Sequence, residues 1–284
     1  MFLIIGIVVV FGSIIAGFTM AGGQVGVLIQ ISEFIVIGGA SIGALLIGNP
    51  PTIIGQLIKG VLGLMKGNPY NAKAYTELLK MLYDLFMLAR REGLVALEHH
   101  AEKPAESEFF KRYPSFHANH HAVEFLADTL KVIITGTVQA HDLSEMMDSD
   151  LECHHEAAAK VPGVLAKVGD AMPGFGIVAA VLGVVITMGS IGGKPEEIGH
   201  HVAAALVGTF LGILLAYGFF NPMAAGMEAN LASEAQYMNC IKAALLSFAR
   251  GDAPLTAVEF ARRSVDPAVR CSFSDLEKAV KGSS

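Results

Sequence analysis

Residues 171–193 read AMPGFGIVAAVLGVVITMGSIGG, bracketed by Asp170 and Lys194, with no ionisable side chain between them. A helix rising about 1.5 Å per residue needs roughly 20 apolar residues to cross a hydrocarbon core. This run is long enough outright. A second run, Ile198–Met227, lies between Glu197 and Glu228 and is also free of charge. Toward the N-terminus, Glu33 is the only ionisable side chain between Met1 and Ile58. It separates Phe2–Met20 from Phe34–Gly48, which extends back to about Gln24. Four membrane spans follow, with Glu33 expected at the headgroup end of the second.

Composition agrees. The 284 residues are 53% hydrophobic and 16% charged, against roughly 25% charged in a typical soluble domain. Such a chain is too apolar for disorder. Its three cysteines are too few for a disulfide scaffold, and its net charge of −6 opposes nucleic-acid binding. The first run has no basic segment before it and no small-residue cleavage site after it, so it reads as a retained span.

Of the 20 Lys and Arg residues, 12 fall in 49–170 and 7 in 223–284. Four spans put both segments on one side, which the positive-inside rule makes the cytoplasm. The expected organisation is all-α: a membrane hairpin in 1–48, a cytoplasmic helical insertion in 49–168, a second, pore-lining hairpin in 169–222, and a cytoplasmic helical tail in 223–284. Both termini are then cytoplasmic. Within the insertion, Thr52–Met65 reads as a helix along the membrane interface. Residues from Asn71 to about His100 show helical spacing of Tyr75, Leu78, Leu79, Leu82, Leu85, Phe86 and Ala89. Glu106–Pro114 reads as a loop, and Ala122–Gly136 and Val138–Ala158 as helices, the latter leading through Pro162-Gly163 into Asp170 and the third span.

Chemical motifs are sparse. Gly189–Lys194 (GSIGGK) lacks the spacing of a phosphate loop, and Gly174-x-Gly176-x-x-Ala179 lies inside an apolar run with no strand before it. No nucleophile elbow appears. Four adjacent His pairs (99–100, 120–121, 154–155 and 200–201) point to different helix faces and read as solvated histidines, so no metal site and no cofactor is expected. The third and fourth spans are rich in small residues (Gly183, Gly189, Ala179, Ala180, Ala203–Ala205, Gly208 and Gly212), which permit close helix packing. Their polar exceptions are chiefly Thr187 and Thr209. With no carboxylate inside any span, a cation path would need one from a partner.

Val168–Val185 (VGDAMPGFGIVAAVLGVV) and Val207–Pro222 (VGTFLGILLAYGFFNP) resemble the A subunits of bacterial flagellar stators, the MotA family. The resemblance includes Gly22–Gly26 (GGQVG), Ala89–Glu98 (ARREGLVALE) and Pro254–Arg263 (PLTAVEFARR), and covers nearly the whole chain. It implies a non-enzymatic stator subunit in the inner membrane, with five copies around a dimer of a MotB-like B subunit that supplies the essential aspartate. Ion flow would drive torque on the rotor protein FliG. The resemblance assigns rotor contact to Arg90 and Glu98, with Arg91 and Glu92 as helpers. On one continuous helix, eight residues turn through about 800°, leaving Arg90 and Glu98 on a shared broad face. It assigns hinge roles to Pro173 and Pro222, where a missing backbone donor kinks the helix, and places Thr209 on the ion path. Sodium-driven relatives carry a threonine where Ala180 stands, so its absence favours protons. One charge crossing the membrane releases about 2.3 kcal/mol per 100 mV, so no nucleotide is required. The competing expectations are an energiser of outer-membrane processes of the ExbB and TolQ kind, and a sodium-driven stator.

Overall fold

The computed structural model describes residues 2–189, 192 and 194–281, and every regular element among them is helical. Parts of the GSIGGK stretch (Ser190, Ile191 and Gly193) lie outside the described residues. The helices are α1 (Phe2–Met20), α2 (Val25–Leu28), α3 (Ile31–Gly48), α4 (Pro51–Leu64), α5 (Ala72–Glu92), α6 (Glu98–Glu102), α7 (Glu108–Lys111), α8 (Pro114–His117), α9 (His120–Thr135), α10 (Ala140–Gly189), α11 (Pro195–Leu215), α12 (Asn221–Ala249), α13 (Pro254–Ser264) and α14 (Phe273–Lys281). Four stretches are long and apolar enough to span a membrane: Leu3–Met20, Val25–Gly48, and windows within Ala140–Gly189 and Pro195–Ala249. The protein is an all-α polytopic membrane protein.

The chain divides into two units. The first comprises residues 1–67 and 157–230. Its interior is thin, as lipid-facing helices require. Leu57, Val161, Leu165, Met223 and Met227 form one cluster, and Ile37, Met172, Ala179, Leu211 and Ala216 form another. Ile4, Val8, Ile35, Ile177, Val181 and Val185 remain exposed, which suits helices whose solvent is hydrocarbon. The second unit comprises 68–156 and 231–284 and has a conventional core. The predicted stripe Tyr75, Leu78, Leu82, Leu85 and Phe86 of α5 is fully buried there against Tyr237, Ile241 and Leu245 of α12 and Val258 of α13. Asn71 caps α5 by accepting from the backbone of Lys73 and Ala74, and Asn119 caps α9 by accepting from Ala122.

Several sequence expectations change. The segment from Asn71 to His100 is not one helix. Gly93, at φ +88°, ends α5 and a 3₁₀ turn at Leu94–Leu97 follows, so Arg90 and Glu98 lie on different elements and share no helix face. A positive φ is open to glycine at no steric cost, and the basic pair Arg90-Arg91 just before it suits a helix C-terminus. In contrast, the helix expected to end at Ala158 continues, and α10 runs through both Pro162 and Pro173 for 50 residues. Lastly, the second span is interrupted between α2 and α3, where Ile29 and Gln30 leave helical geometry. The loop expected at Glu106–Pro114 contains the short α7, capped by Ser107 accepting from Phe110.

Candidate functional site

The third and fourth spans, the lower part of α10 and α11, meet through glycine. A Cβ on Gly176 would lie 2.9 Å from the Gly208 carbonyl oxygen and 3.4 Å from the Thr209 Cα. One on Gly212 would lie 2.6 Å from the Met172 carbonyl oxygen and 3.0 Å from the Gly176 Cα. One on Gly183 would lie 2.7 Å from the Ala205 Cβ. Each approach is backbone against backbone or methyl, the geometry small residues permit in a bilayer. Ala180 and Thr209 are both half-buried beside this seam. Ala180 contributes its backbone, with its nitrogen 3.4 Å from where a Gly208 Cβ would stand. Thr187 is buried and donates to the Gly183 carbonyl, which settles its hydroxyl within its own helix.

Glu33 sits in the first turn of α3, is buried, and is the only buried charged side chain among the described residues. Its Oε2 lies 2.5 Å from where a Gly208 Cβ would stand, so the glycine makes room for the carboxylate. Ser32 donates to its Oε1 at 3.5 Å, and Oε2 has no hydrogen-bond partner among the described residues. The carboxylate is thus packed against the fourth span, just after the interruption between α2 and α3. The isolated position of Glu33 in 58 otherwise uncharged residues was the available signal.

Both assigned prolines lie within continuous helix. Pro173 is inside α10, where it cannot donate to the Gly169 carbonyl. Pro222 follows a π-turn at Ala216–Phe220 and cannot donate to the Gly218 carbonyl. Sequence reasoning missed the link between them. The Asn221 side chain fills the space where a Gly169 Cβ would be and donates through Nδ2 to Asp170 Oδ1 at 3.0 Å. The two helices are thus tied by a polar contact next to both unsupported carbonyls.

In the second unit, Arg90 and Glu98 are exposed, and neither forms a salt bridge with another described residue. Arg91 is paired with Glu92 at 3.9 Å. Arg90 lines an open cavity of about 660 Å³ with Leu94, Val138, Phe248 and Asp252. The His pairs have separate fates. His120 is exposed, whereas His121 and His154 are brought face to face from α9 and α10. Burial, and then the neighbouring His121, hold His154 below the usual histidine range.

Two family profiles cover most of the chain: "Motility protein A N-terminal" matches residues 4–93, and "MotA/TolQ/ExbB proton channel family" matches residues 117–240. Motility protein A of Salmonella typhimurium is 41% identical over 282 residues, covering 99% of this chain and 95% of the relative. Motility protein A of Escherichia coli is equally similar, at 41% with the same coverage. Chemotaxis protein LafT of Vibrio parahaemolyticus is 32% identical over 96% of each chain. Among solved structures, the fold is similar to that of Campylobacter jejuni ("C. jejuni") MotAB, at a TM-score of 0.76 and 22% identity, covering 95% of this chain and 98% of that one. It is also similar to the flagellar MotAB stator complex from Bacillus subtilis, at 0.73 and 24%, covering 90% and 92%. The chain belongs to the MotA family of motility proteins, within the MotA/TolQ/ExbB proton channel group.

Proposed function

We propose that this chain is the A subunit of a proton-driven flagellar stator, acting with a one-span, MotB-like B subunit in the bacterial inner membrane. The observation that carries this reading is the seam between α10 and α11: two spans packed on glycine, with no charge in 171–193 or 198–227. A proton relay along it needs a carboxylate from outside the chain. The B subunit would supply that aspartate, lodged beside Thr209 and Ala180, in an assembly of five A subunits around a B dimer. Lys and Arg asymmetry favours a cytoplasmic second unit and cytoplasmic termini.

In this reading, protonation at the partner's carboxylate changes the packing at the seam. Pro173 and Pro222 lower the cost of bending at its cytoplasmic end, since each leaves a carbonyl without its helical partner. The Asp170–Asn221 contact transmits the bend from one helix to the other. Arg90 and Glu98, exposed and without a salt bridge among the described residues, present opposite charges to the rotor protein FliG. Because Gly93 separates their elements, they would meet the rotor as two independent contacts. The lack of a hydroxyl at Ala180 favours protons over sodium, which needs several oxygens to replace its water shell. The family is one of channel and motor subunits, no catalytic reaction is assigned to the chain, and no cofactor is required. The match to the N-terminal motility profile favours this reading over an ExbB-like or TolQ-like energiser.

The test is complementation. In a host lacking its own A subunit, the chain and its B partner should restore swimming that stops with a protonophore and persists without sodium. Swimming speed that tracks external sodium at constant proton-motive force would place the chain among sodium-driven stators. Failure to associate with any one-span B subunit would overturn the proposal.

A further inference from the structure

The His pairs yield one constellation that the motor reading does not use. His121 on α9, His154 on α10 and Glu234 on α12 each offer a ligand atom, and these atoms all lie within 4.8 Å of one another. His121 Nδ1 is 3.3 Å from Glu234 Oε1. The two imidazoles are stacked, with ring centroids 3.3 Å apart and planes 18° from parallel. All three residues are half-buried, in the second unit.

The His121–Glu234 separation of 3.3 Å matches the donor spacing of a metal site, and the His154 donor lies within 4.8 Å of both. Tetrahedral zinc with ligands at about 2.0–2.1 Å places its donors about 3.4 Å apart. Two histidines and a carboxylate form one of the donor sets that zinc takes with an open fourth position. Stacked rings direct their lone pairs along near-parallel planes, so shared coordination requires one imidazole to rotate about its side-chain bonds. The three donors line a cavity of about 490 Å³ whose further groups include Asp148, Glu152 and His155. The contributing segments are far apart in sequence, and adjacent His residues on helices gave no sign of this meeting.

We infer that His121, His154 and Glu234 form a zinc site that clamps α9, α10 and α12 together within the second unit. Bound zinc would add a direct link among three helices that already share the core of this unit and the Lys242–Asp148 ion pair, and it would neutralise Glu234. Its role is structural or regulatory, since the site does not overlap the seam, the prolines, Arg90 or Glu98.

The test uses the full-length chain, purified without a His tag, stripped with chelator and titrated with zinc alone by calorimetry. One zinc per chain is expected, with a melting temperature that rises on addition. His121→Ala and His154→Ala should each weaken binding at least about tenfold, since even residues behind the ligands of a zinc site contribute 10–100-fold. Glu234→Gln keeps the shape of the site and should also weaken it. Cobalt should give the intense visible bands of a tetrahedral site, lost in the same variants. His99→Ala and His200→Ala should bind zinc as the parent does. No stoichiometric binding, or equal binding in the parent and in Glu234→Gln and His154→Ala, would overturn the site.

Discussion

Replacing Gly212 by alanine forces a methyl group against atoms that cannot rotate away. The new Cβ would stand 2.6 Å from the Met172 carbonyl oxygen, 3.0 Å from the Gly176 Cα and 3.3 Å from the Gly176 nitrogen, all of them backbone. Relief requires α10 and α11 to separate, so the upper end of the usual overpacking cost applies, about 3 kcal/mol. Alanine's helix preference returns up to about 1 kcal/mol, leaving a net loss of about 2 kcal/mol. At about 2–4 °C per kcal/mol, melting should fall by about 4–8 °C. Gly199 provides the control on the same helix, because a Cβ there would meet nothing within 4 Å. Gly199→Ala should leave melting unchanged or raise it. The assay is thermal unfolding in detergent, followed by circular dichroism, with swimming measured in parallel. Equal melting temperatures for Gly212→Ala and Gly199→Ala would refute the glycine seam.

Three other outcomes are expected. The Arg90→Glu, Glu98→Lys double variant should insert in the membrane and bind its B subunit but swim poorly, with partial rescue by reversed charges on the rotor; normal swimming would remove both residues from the rotor contact. Pro173→Ala restores a donor to the Gly169 carbonyl, so the complex should assemble while torque on a tethered cell drops; full torque would remove the hinge. Glu259 is held down to about 2 by its hydrogen bonds to Arg262 and Arg263, against an ordinary value of 4.5. A lowered carboxylate stabilises the fold above its unfolded value and loses that contribution as pH falls through its folded one. Glu259→Gln should therefore cost stability at pH 7, with the gap to the parent closing between about pH 4.5 and pH 2; an unchanged gap across that window would refute the pairing.

The four spans were legible because their signal is local: a run without charge is enough to identify each. The α5 stripe was legible for the same reason, since Tyr75 to Phe86 repeat at helical spacing. Helix continuity was not. The helix expected to end at Ala158 is carried through Pro162-Gly163 by the packing of Val161, Val164 and Leu165 on either side, which sequence cannot show. Gly93 looks like an internal glycine but takes a positive φ. The burial of Glu33 depends on Gly208, 175 positions away. The meeting of His121 with His154 and Glu234 depends on three helices. Long-range placement of this kind leaves little trace in the spacing of neighbouring residues.

The most direct test of the shared proton path is flux into vesicles that hold this chain alone, compared with vesicles that hold it together with a B subunit. One buried Glu33 is not a relay across the bilayer, and the seam between α10 and α11 carries no charge of its own, so the chain alone should not conduct. Proton entry should appear only with the partner, and should vanish when the partner's aspartate is replaced by asparagine. Equal flux in the two preparations would contradict the account and make the chain a self-sufficient channel.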